Sequence, residues 1–356
     1  MAAFRLAELK KRMARFPRKN LIHLPTPFQK LENISRDLGG PEIYIKRDDL
    51  TGLAFGGNKS RKLEFIICDA LNKGADVIIT WASLQSNWCM QTAAAARRCG
   101  LKPILILFKT SELAPEFDGN LLLDYILGAD IRIREAEKGK VVSEEYAREI
   151  LEEVVNEVKE WGHAPYVVAV GGSRPGFSME KPLGAISYVA AFAEMLEQAE
   201  AEDIDITHVV QATGSGATQA GLVVGAKALK AKLKVIGISV SDEKEAFTQT
   251  VLEICNETEK ALDLDCSIAK EDVIVLDEYI REGYGVVNRE VAEVIRLVFI
   301  REGIVLDPVY TGKAMAALVD LVKRGNFRKD DKIVFFHTGG TPALFPYRQK
   351  LVELLK

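Results

Sequence analysis

One lysine in this sequence stands where a tight loop passes into a helix. Lys59 lies in residues 56–64, GGNKSRKLE, and an amphipathic pattern begins directly after it. The positive end of a helix dipole disfavours an ammonium group at this position and so favours the free amine. A free amine can condense with an aldehyde to form a Schiff base. The alternative is that Lys59, together with Arg61 and Lys62, forms only a solvated basic turn.

A second segment has the composition of a phosphate-binding turn. Residues 214–218, GSGAT, follow the apolar run 209–211 and precede a helical pattern. Successive backbone N–H groups at a helix start, with hydroxyls and no bulky side chains, can hold a phosphate. Gln219 stands where a dinucleotide-binding motif has its third glycine, and Leu222 follows Gly221 where a P-loop has lysine. The segment therefore predicts a site for a phosphate monoester, with a purely structural turn as the alternative.

Further loops carry polar side chains where chemistry could occur. Residues 83–87, SLQSN, lie between a strand pattern and a helix pattern, and such a loop can bind a substrate carboxylate. An ordinary helix cap by Ser86 or Asn87 explains the same residues. Three more segments, each weak on its own, place a hydroxyl or a phenol beside a glycine: residues 283–285, 307–313 and 337–341.

Composition excludes several classes of protein. The chain has 356 residues, of which 48% are hydrophobic and 28% charged, and this mixture is typical of a soluble globular enzyme. Its formal charge of −4 argues against a nucleic-acid-binding or membrane-binding surface, and no apolar run approaches the length of a membrane span. The five cysteines form no C-x-x-C pair and the four histidines are dispersed, so we expect no metal site. We also expect reduced thiols and a cytoplasmic location.

Strand-like and helix-like apolar patterns alternate along the chain. Short apolar runs such as 77–80 and 104–108 are typical of buried strands. Two helical patterns stand out, and we expect the first helix to pack on a sheet with one face: Leu63, Ile66, Ile67, Ala70 and Leu71, then Val291, Val294, Ile295, Val298 and Phe299. The βαβα order predicts an α/β protein with mostly parallel sheets covered by helices.

Taken together, the ordered motifs resemble the β family, or fold type II, of pyridoxal-phosphate enzymes. The likeness is to the branch of D-cysteine desulfhydrase and 1-aminocyclopropane-1-carboxylate (ACC) deaminase. It runs through LPTP at 24–27, KRDD at 46–49, the Lys59 loop and TGG at 338–340. The resemblance implies pyridoxal 5′-phosphate as cofactor, a homodimer and a two-domain tryptophan-synthase-β-like fold. In that fold a small domain, residues 62–175, is inserted into a large domain formed by residues 1–61 and 176–356.

The resemblance also implies which residues form the active site. The lysine of the family's GGNK motif binds the cofactor aldehyde, and a Ser-Asn pair binds the substrate carboxylate and the cofactor's phenolic oxygen. The expected catalytic residues are Lys59, Ser86, Tyr284 and Tyr310. The expected cofactor-binding residues are Asn58, Asn87, Gly214, Ser215, Gly216, Ala217, Thr218, Thr311 and Thr338.

Two positions bear on the substrate. ACC deaminases carry glutamate after the tyrosine of their DPVY motif, where a carboxylate keeps the pyridine nitrogen protonated, and this chain has Thr311 there. A hydroxyl makes the ring a weaker electron sink, which favours β-elimination from a cysteine-like substrate over opening of a cyclopropane ring. The segment Trp88-Cys89-Met90 departs from the family, which usually has histidine or a polar residue after the Ser-Asn pair. Trp88 either reshapes the pocket for another β-substituent or packs between domains.

These inferences favour a pyridoxal-phosphate dependent lyase that converts D-cysteine, as first choice, to pyruvate, ammonia and sulfide. The alternatives are an L-cysteate sulfo-lyase, an ACC deaminase homologue that forms 2-oxobutyrate and ammonia, and a cysteine-synthase-like β-substitution. A catalytically silent protein that binds a phosphorylated ligand is an alternative of another class, and the intact Lys59 argues against it. The expected partners are a small amino acid and a second copy of the chain, with no nucleic acid and no membrane.

Overall fold

Helices and strands alternate along the computed structural model, which describes residues 2–110, 117–137 and 142–356. The helices are α1 Ala2–Met13, α2 Glu32–Leu38, α3 Asn58–Asn72, α4 Asn87–Arg98, α5 Gly119–Ile126, α6 Glu144–Glu160, α7 Leu183–Ala201, α8 Ala217–Leu229, α9 Lys244–Ala261, α10 Arg289–Glu302, α11 Thr311–Lys323 and α12 Arg348–Leu355. The strands are β1 Phe28–Lys30, β2 Glu42–Lys46, β3 Val77–Ser83, β4 Lys102–Lys109, β5 Asp130–Glu135, β6 Pro165–Val167, β7 His208–Thr213, β8 Lys234–Ser239, β9 Ile274–Leu276 and β10 Lys332–Phe336.

The strands form two sheets. The larger sheet has the order β1-β2-β10-β7-β8-β9, and the smaller sheet has the order β5-β4-β3-β6. Neighbouring strands are parallel except β1 and β2, which are antiparallel with Phe28 opposite Lys46. The predicted α/β class with mostly parallel sheets covered by helices is confirmed.

Buried apolar side chains join the two sheets to the helices that cover them. One cluster contains side chains of both sheets and of α3, α4, α7 and α8. Helix α6 covers the other face of the smaller sheet, and α10 and α11 cover the other face of the larger sheet. Helices α7 and α8 approach closely because α8 carries glycines. A Cβ added at Gly221 would lie 2.3 Å from the Ala185 carbonyl oxygen, and one at Gly225 would lie 2.8 Å from Phe192 Cβ.

Two apolar patterns behave differently from the expectation. Helix α3 packs against α4 and α7, and it buries Arg61, Lys62 and Glu64 as well as its apolar residues. The apolar stripe of α3 belongs to the buried cluster that contains side chains of both sheets, and the polar face of the helix is covered as well, which the one-sided pattern did not predict. In α10 the side chain of Phe299 is 56% exposed, whereas Val298 is fully buried. The stripe of this helix thus ends one residue earlier than expected.

Strand ends bring the predicted loops toward one another. Strand β3 leads through residues 84–86 into α4, and β7 leads through residues 214–216 into α8. All four strands of the smaller sheet lie between residues 77 and 167, and the larger sheet contains strands from both sides of this segment. The domain boundaries at 61/62 and 175/176 stay predictions. Within the described ranges, no helix combines the length and the apolar character needed to cross a membrane.

Candidate active site

A cavity of about 320 Å³ lies where the loops of the two sheets meet. Its wall contains Ser83 from the end of β3 and Thr213 from the end of β7. Ligands of parallel α/β sheets bind at the carboxyl ends of strands, and this cavity has that position for both sheets. Eleven of the thirteen predicted site residues line it: Asn58, Lys59, Ser86, Asn87, Gly214, Ser215, Gly216, Thr218, Tyr284, Tyr310 and Thr338. The remaining two, Ala217 and Thr311, lie outside the wall.

Lys59, the second residue of α3, directs its amine into this cavity. Its Nζ lies 5.2 Å from the centre of the Tyr310 ring. Burial lowers the pKa of Lys59 to about 8, while the carboxylate of Asp307 acts in the opposite direction. Burial is therefore the main cause of the lowered pKa, and the sequence argument from the helix dipole named a different cause. The amine is closer to its reactive, uncharged form than an ordinary lysine.

A hydrogen bond joins the lysine loop to the predicted phosphate turn. The Asn58 side chain donates from Nδ2 to Thr218 Oγ1 over 3.1 Å. The backbone N–H of Asn58 donates to the Thr338 carbonyl oxygen over 3.0 Å. Asn58 Oδ1 is buried without a hydrogen-bond partner among the described residues. Three segments that are distant in sequence are thus held together around an amide that retains a free acceptor.

The turn before α8 has the shape of an anion cradle. Gly216 precedes the helix with φ of 85°, and no described side chain caps the helix start. A Cβ at Gly171 would lie 2.2 Å from Ser215 Oγ, so the turn packs tightly against residues 170–172. Lys62 also lines the cavity, and its pKa is lowered well below the usual value by burial and by Lys59. The uncapped backbone N–H groups of the turn suit a phosphoryl group.

The predicted carboxylate loop is also a helix cap. Ser86 Oγ accepts a hydrogen bond from the backbone N–H of Cys89 over 3.1 Å, which caps α4. Both Ser86 and Asn87 still form part of the cavity wall. The two explanations considered from the sequence are therefore compatible, because a capped helix start can face a ligand.

Two phenols form a pair on the wall of the cavity. The hydroxyl oxygens of Tyr284 and Tyr310 lie 2.7 Å apart, and their rings meet edge to face with centres 6.1 Å apart. Burial raises the pKa of both phenols, and that of Tyr310 is raised well above its usual range. Both hydroxyls are therefore protonated at neutral pH, so the pair can donate a proton within the cavity.

The hydroxyl of Thr311 forms hydrogen bonds with Asp307, which the sequence did not single out as a site residue. Its hydroxyl donates to Asp307 Oδ1 over 2.7 Å and accepts from the Asp307 backbone N–H over 2.8 Å. The Asp307 carboxylate also accepts the backbone N–H groups of Val309 and Tyr310, each over 2.9 Å. Asp307 thus shapes the start of α11 and places Tyr310. An aspartate just before a helix is a capping signal, which could have identified it. The predicted contact of Thr311 with the cofactor ring stays a prediction.

Comparison with known proteins assigns the chain to a family. The family model described as pyridoxal-phosphate dependent enzyme matches residues 20–339. The chain belongs to this family. This pyridoxal-phosphate dependent enzyme therefore has the cofactor that the Lys59 loop and the turn at 214–218 led us to expect.

Two relatives and one solved structure match this enzyme along nearly its whole length. A Pyrococcus horikoshii protein, provisionally named a 1-aminocyclopropane-1-carboxylate deaminase, is 43% identical over 343 residues, which cover 96% of this chain and 98% of that one. D-cysteine desulfhydrase of Klebsiella pneumoniae (strain 342) is 40% identical over 342 residues, which cover 95% and 98%. A crystal structure of an ACC deaminase homologue is 40% identical with a TM-score of 0.87 and covers 98% and 99%. The predicted branch, the type II fold, the cofactor and the lyase class are confirmed.

Several residues of the enzyme's cavity wall were missed by the sequence analysis. They include Lys62, Trp81, Ser173, Arg174, Ser241 and Asp242. Trp88, by contrast, was singled out with two explanations. Its indole N–H donates to Thr80 Oγ1 over 2.7 Å, and its side chain is 2% exposed. Trp88 therefore packs α4 onto β3 and at the same time forms part of the wall.

Proposed function

We propose that this pyridoxal-phosphate dependent enzyme eliminates the β-substituent of a small amino acid, with D-cysteine as its substrate. The reaction converts D-cysteine and water to pyruvate, ammonia and hydrogen sulfide. The observation that carries the proposal is the meeting of Lys59, the 214–218 turn and the Tyr284–Tyr310 pair in one cavity of about 320 Å³. The D-cysteine desulfhydrase that is 40% identical over 95% of this chain supports the choice of substrate.

The cavity fits the cofactor through several independent groups. Lys59 would bind the aldehyde, and the backbone of residues 214–218 with Thr218 would hold the phosphate. The side chain of Asn87 would bind the phenolic oxygen of the ring, as the family resemblance implies. The bound cofactor supplies a conjugated ring that takes up the negative charge formed at the substrate Cα.

Residues of this chain would then bind the substrate and move its protons. Ser86, at the start of α4, would hold the substrate carboxylate, since a helix start favours an anion. Lys59, with its pKa lowered to about 8, would take the proton from Cα. The Tyr284–Tyr310 pair would supply a proton to the departing sulfur. Buried walls formed by Trp81 and Trp88 would keep bulk water away from these steps.

The family resemblance places Thr311 beside the cofactor ring, and from this we infer that elimination is favoured over the ring opening of an ACC deaminase. A carboxylate at this place would keep the pyridine nitrogen protonated, whereas a hydroxyl carries no charge. Elimination of sulfide needs less electron withdrawal because the leaving group is good. The alternatives are an L-cysteate sulfo-lyase and an ACC deaminase, together with β-substitution and a silent phospho-ligand-binding protein.

Parallel product assays test the proposal. Purified holoenzyme is incubated with D-cysteine, L-cysteine, L-cysteate or ACC, and sulfide, sulfite, pyruvate and 2-oxobutyrate are measured. We expect sulfide and pyruvate in equal amounts from D-cysteine, and no product from a Lys59→Ala variant. If the only product is sulfite from L-cysteate, L-cysteate is the substrate in place of D-cysteine. If the only product is 2-oxobutyrate from ACC, ACC is the substrate. If neither enantiomer of cysteine yields sulfide and pyruvate, the proposal is wrong.

We also propose that the enzyme works as a cytoplasmic homodimer whose smaller domain spans residues 62–175. The free state of all five cysteines agrees with a reducing compartment. The position of the smaller sheet within residues 77–167 agrees with the domain boundaries. Light scattering of the purified enzyme measures the oligomeric state, and a mass of one chain, 39.3 kDa, would contradict the dimer.

A further inference from the structure

A buried asparagine outside the predicted site contacts the loop that carries Ser86 and Asn87. Asn120 lies in the first turn of α5 and is fully buried. Its side-chain Nδ2 donates to Asn87 Oδ1 and to the Gln85 backbone carbonyl oxygen, each over 2.9 Å. Both protons of this amide group are therefore directed at the loop.

These contacts determine which way the Asn87 amide points. The Gln85 carbonyl oxygen can only accept, so the Asn120 atom that faces it must be the donor Nδ2. The same Nδ2 also faces Asn87, which must therefore present its oxygen. Because the Oδ1 of Asn87 is turned to Asn120, its Nδ2 is left to donate elsewhere. Asn87 forms part of the cavity wall, so the remaining donor is available to a ligand.

The supporting contacts around Asn120 are also short and specific. Its backbone N–H donates to Gln85 Oε1 over 2.9 Å, and Gln85 Nε2 donates to the Asp118 carbonyl oxygen over 3.0 Å. Gly119 permits this approach, because it has φ of 54° and an added Cβ would lie 2.6 Å from Gln85 Oε1. The loop at 85–87 and the start of α5 therefore form one hydrogen-bonded unit.

We propose that Asn120 is a positioning residue that makes Asn87 a hydrogen-bond donor to the phenolic oxygen of bound pyridoxal phosphate. This inference rests on the proposed placement of the cofactor beside Asn87. Asn120 does not line the cavity and acts only through Asn87. A hydrogen-bond donor attracts an anionic oxygen of the ligand, whereas an acceptor repels it. The orientation of the Asn87 amide therefore decides whether the contact is attractive or repulsive.

The test compares two ligands that differ only at that oxygen. Binding of pyridoxal phosphate and of 3-deoxypyridoxal 5′-phosphate to the cofactor-free protein is measured by visible absorbance. Native protein should prefer pyridoxal phosphate, and an Asn120→Leu variant should reduce the preference by about tenfold or more, which corresponds to about 1.4 kcal/mol. Leucine is close to asparagine in size and cannot donate to Asn87, so the Asn87 amide is free to turn its oxygen toward the ligand. General damage to the fold would weaken the binding of both ligands and leave the ratio of their affinities unchanged.

Further variants keep the test decisive. Asp124→Asn changes another buried side chain of α5, one turn from Asn120, and should leave the ligand preference as it is in the native protein. If the leucine variant does not fold, Asn120→Ala is used instead, and it should also lower the preference. Adding the Asn120 change to an Asn87→Ala variant should have no further effect. An unchanged preference in a folded Asn120 variant would overturn the proposal. No substrate enters the measurement, so its outcome is independent of the proposed reaction.

Discussion

At the scale of single residues, the surroundings of Lys59 give it the properties of a reactive amine. Burial lowers its pKa to about 8, whereas Asp307 raises it. The sequence identified Lys59 and the turn at 214–218 because each is a local motif with its own spacing. The role of Asn120 was not predictable, because its partner Asn87 lies 33 residues earlier and meets it only in the folded chain.

We expect the amine of Lys59 to react with small aldehydes at lower pH than surface lysines do. Only the uncharged amine reacts, and its fraction rises as pH increases through the pKa. In cofactor-free protein, the rate of reductive methylation at Lys59 should therefore rise with a midpoint near pH 8, as its pKa of about 8 requires. Peptide mass spectrometry measures Lys59 and the partly exposed Lys227 in the same sample.

Asp307→Asn provides the matched change for this experiment. The Asp307 carboxylate favours the charged form of Lys59, so its removal should move the midpoint to lower pH. A Lys59 midpoint that coincides with that of Lys227 would show that burial does not control the amine, and would contradict the expectation.

At the scale of elements, buried charges fix helix α3 against its neighbours. Arg61 donates to both carboxylate oxygens of Asp48, each over 2.8 Å, and to Glu194 of α7 over 2.9 Å. Tyr188 of α7 donates to Asp48 over 2.6 Å, and Lys46 of β2 donates to Glu194 over 2.6 Å. The network thus ties α3, which carries Lys59, to α7 and to the larger sheet.

Removal of Asp48 should destabilise the enzyme strongly. An Asp48→Ala variant leaves the buried Arg61 guanidinium without its bidentate partner, and such a loss costs about 3–5 kcal/mol. Urea unfolding of cofactor-free protein measures the change in the free energy of unfolding. The control is Glu293→Ala, which removes an exposed pair with Arg289 and should change stability little. Equal stability of the two variants would show that the buried network does not hold α3.

The positions of elements followed from apolar periodicity, whereas the surroundings of the elements did not. The apolar runs 77–80 and 104–108 lie within β3 and β4, and the two helical patterns lie within α3 and α10, because burial on a sheet or a helix face repeats at a fixed interval. The polar residues of α3 gave no sign that they would be buried, because their ionic partners lie far away in sequence: Arg61 pairs with Asp48 and Glu194. Phe299 matched the helical interval of α10, yet the helix turns it toward solvent.

At the scale of the whole molecule, the cavity depends on both sheets at once. The wall takes Ser83 and Ser86 from the side of the smaller sheet and Thr213 and Thr218 from the side of the larger sheet. The order of strands in the larger sheet was not predictable from local patterns, because β10 lies between β2 and β7. The family resemblance supplied the fold type, which periodicity alone could not, but it did not supply the order of the strands.

Cofactor binding should therefore stabilise the molecule as a whole. A ligand at a hundred times its dissociation constant stabilises the folded state by about 2.7 kcal/mol, so pyridoxal phosphate should raise the Tm measured by calorimetry. Pyridoxal at the same concentration should raise the Tm less, because it lacks the group that the 214–218 turn would hold. The Lys59→Ala variant should show a smaller rise than the native protein. Equal effects of pyridoxal and its phosphate would contradict the role of the turn.

The central position of β10 has a consequence for biosynthesis. This strand is the last in the chain, yet the sheet places it between β2 and β7. A nascent polypeptide therefore holds two unjoined parts of the larger sheet until residues 332–336 have left the ribosome, and their exposed edges are open to misassembly during that interval. A chain whose translation stops before residue 332 would thus not complete the larger sheet. It would be bound by chaperones or degraded by proteases, and it would not be a partly active enzyme.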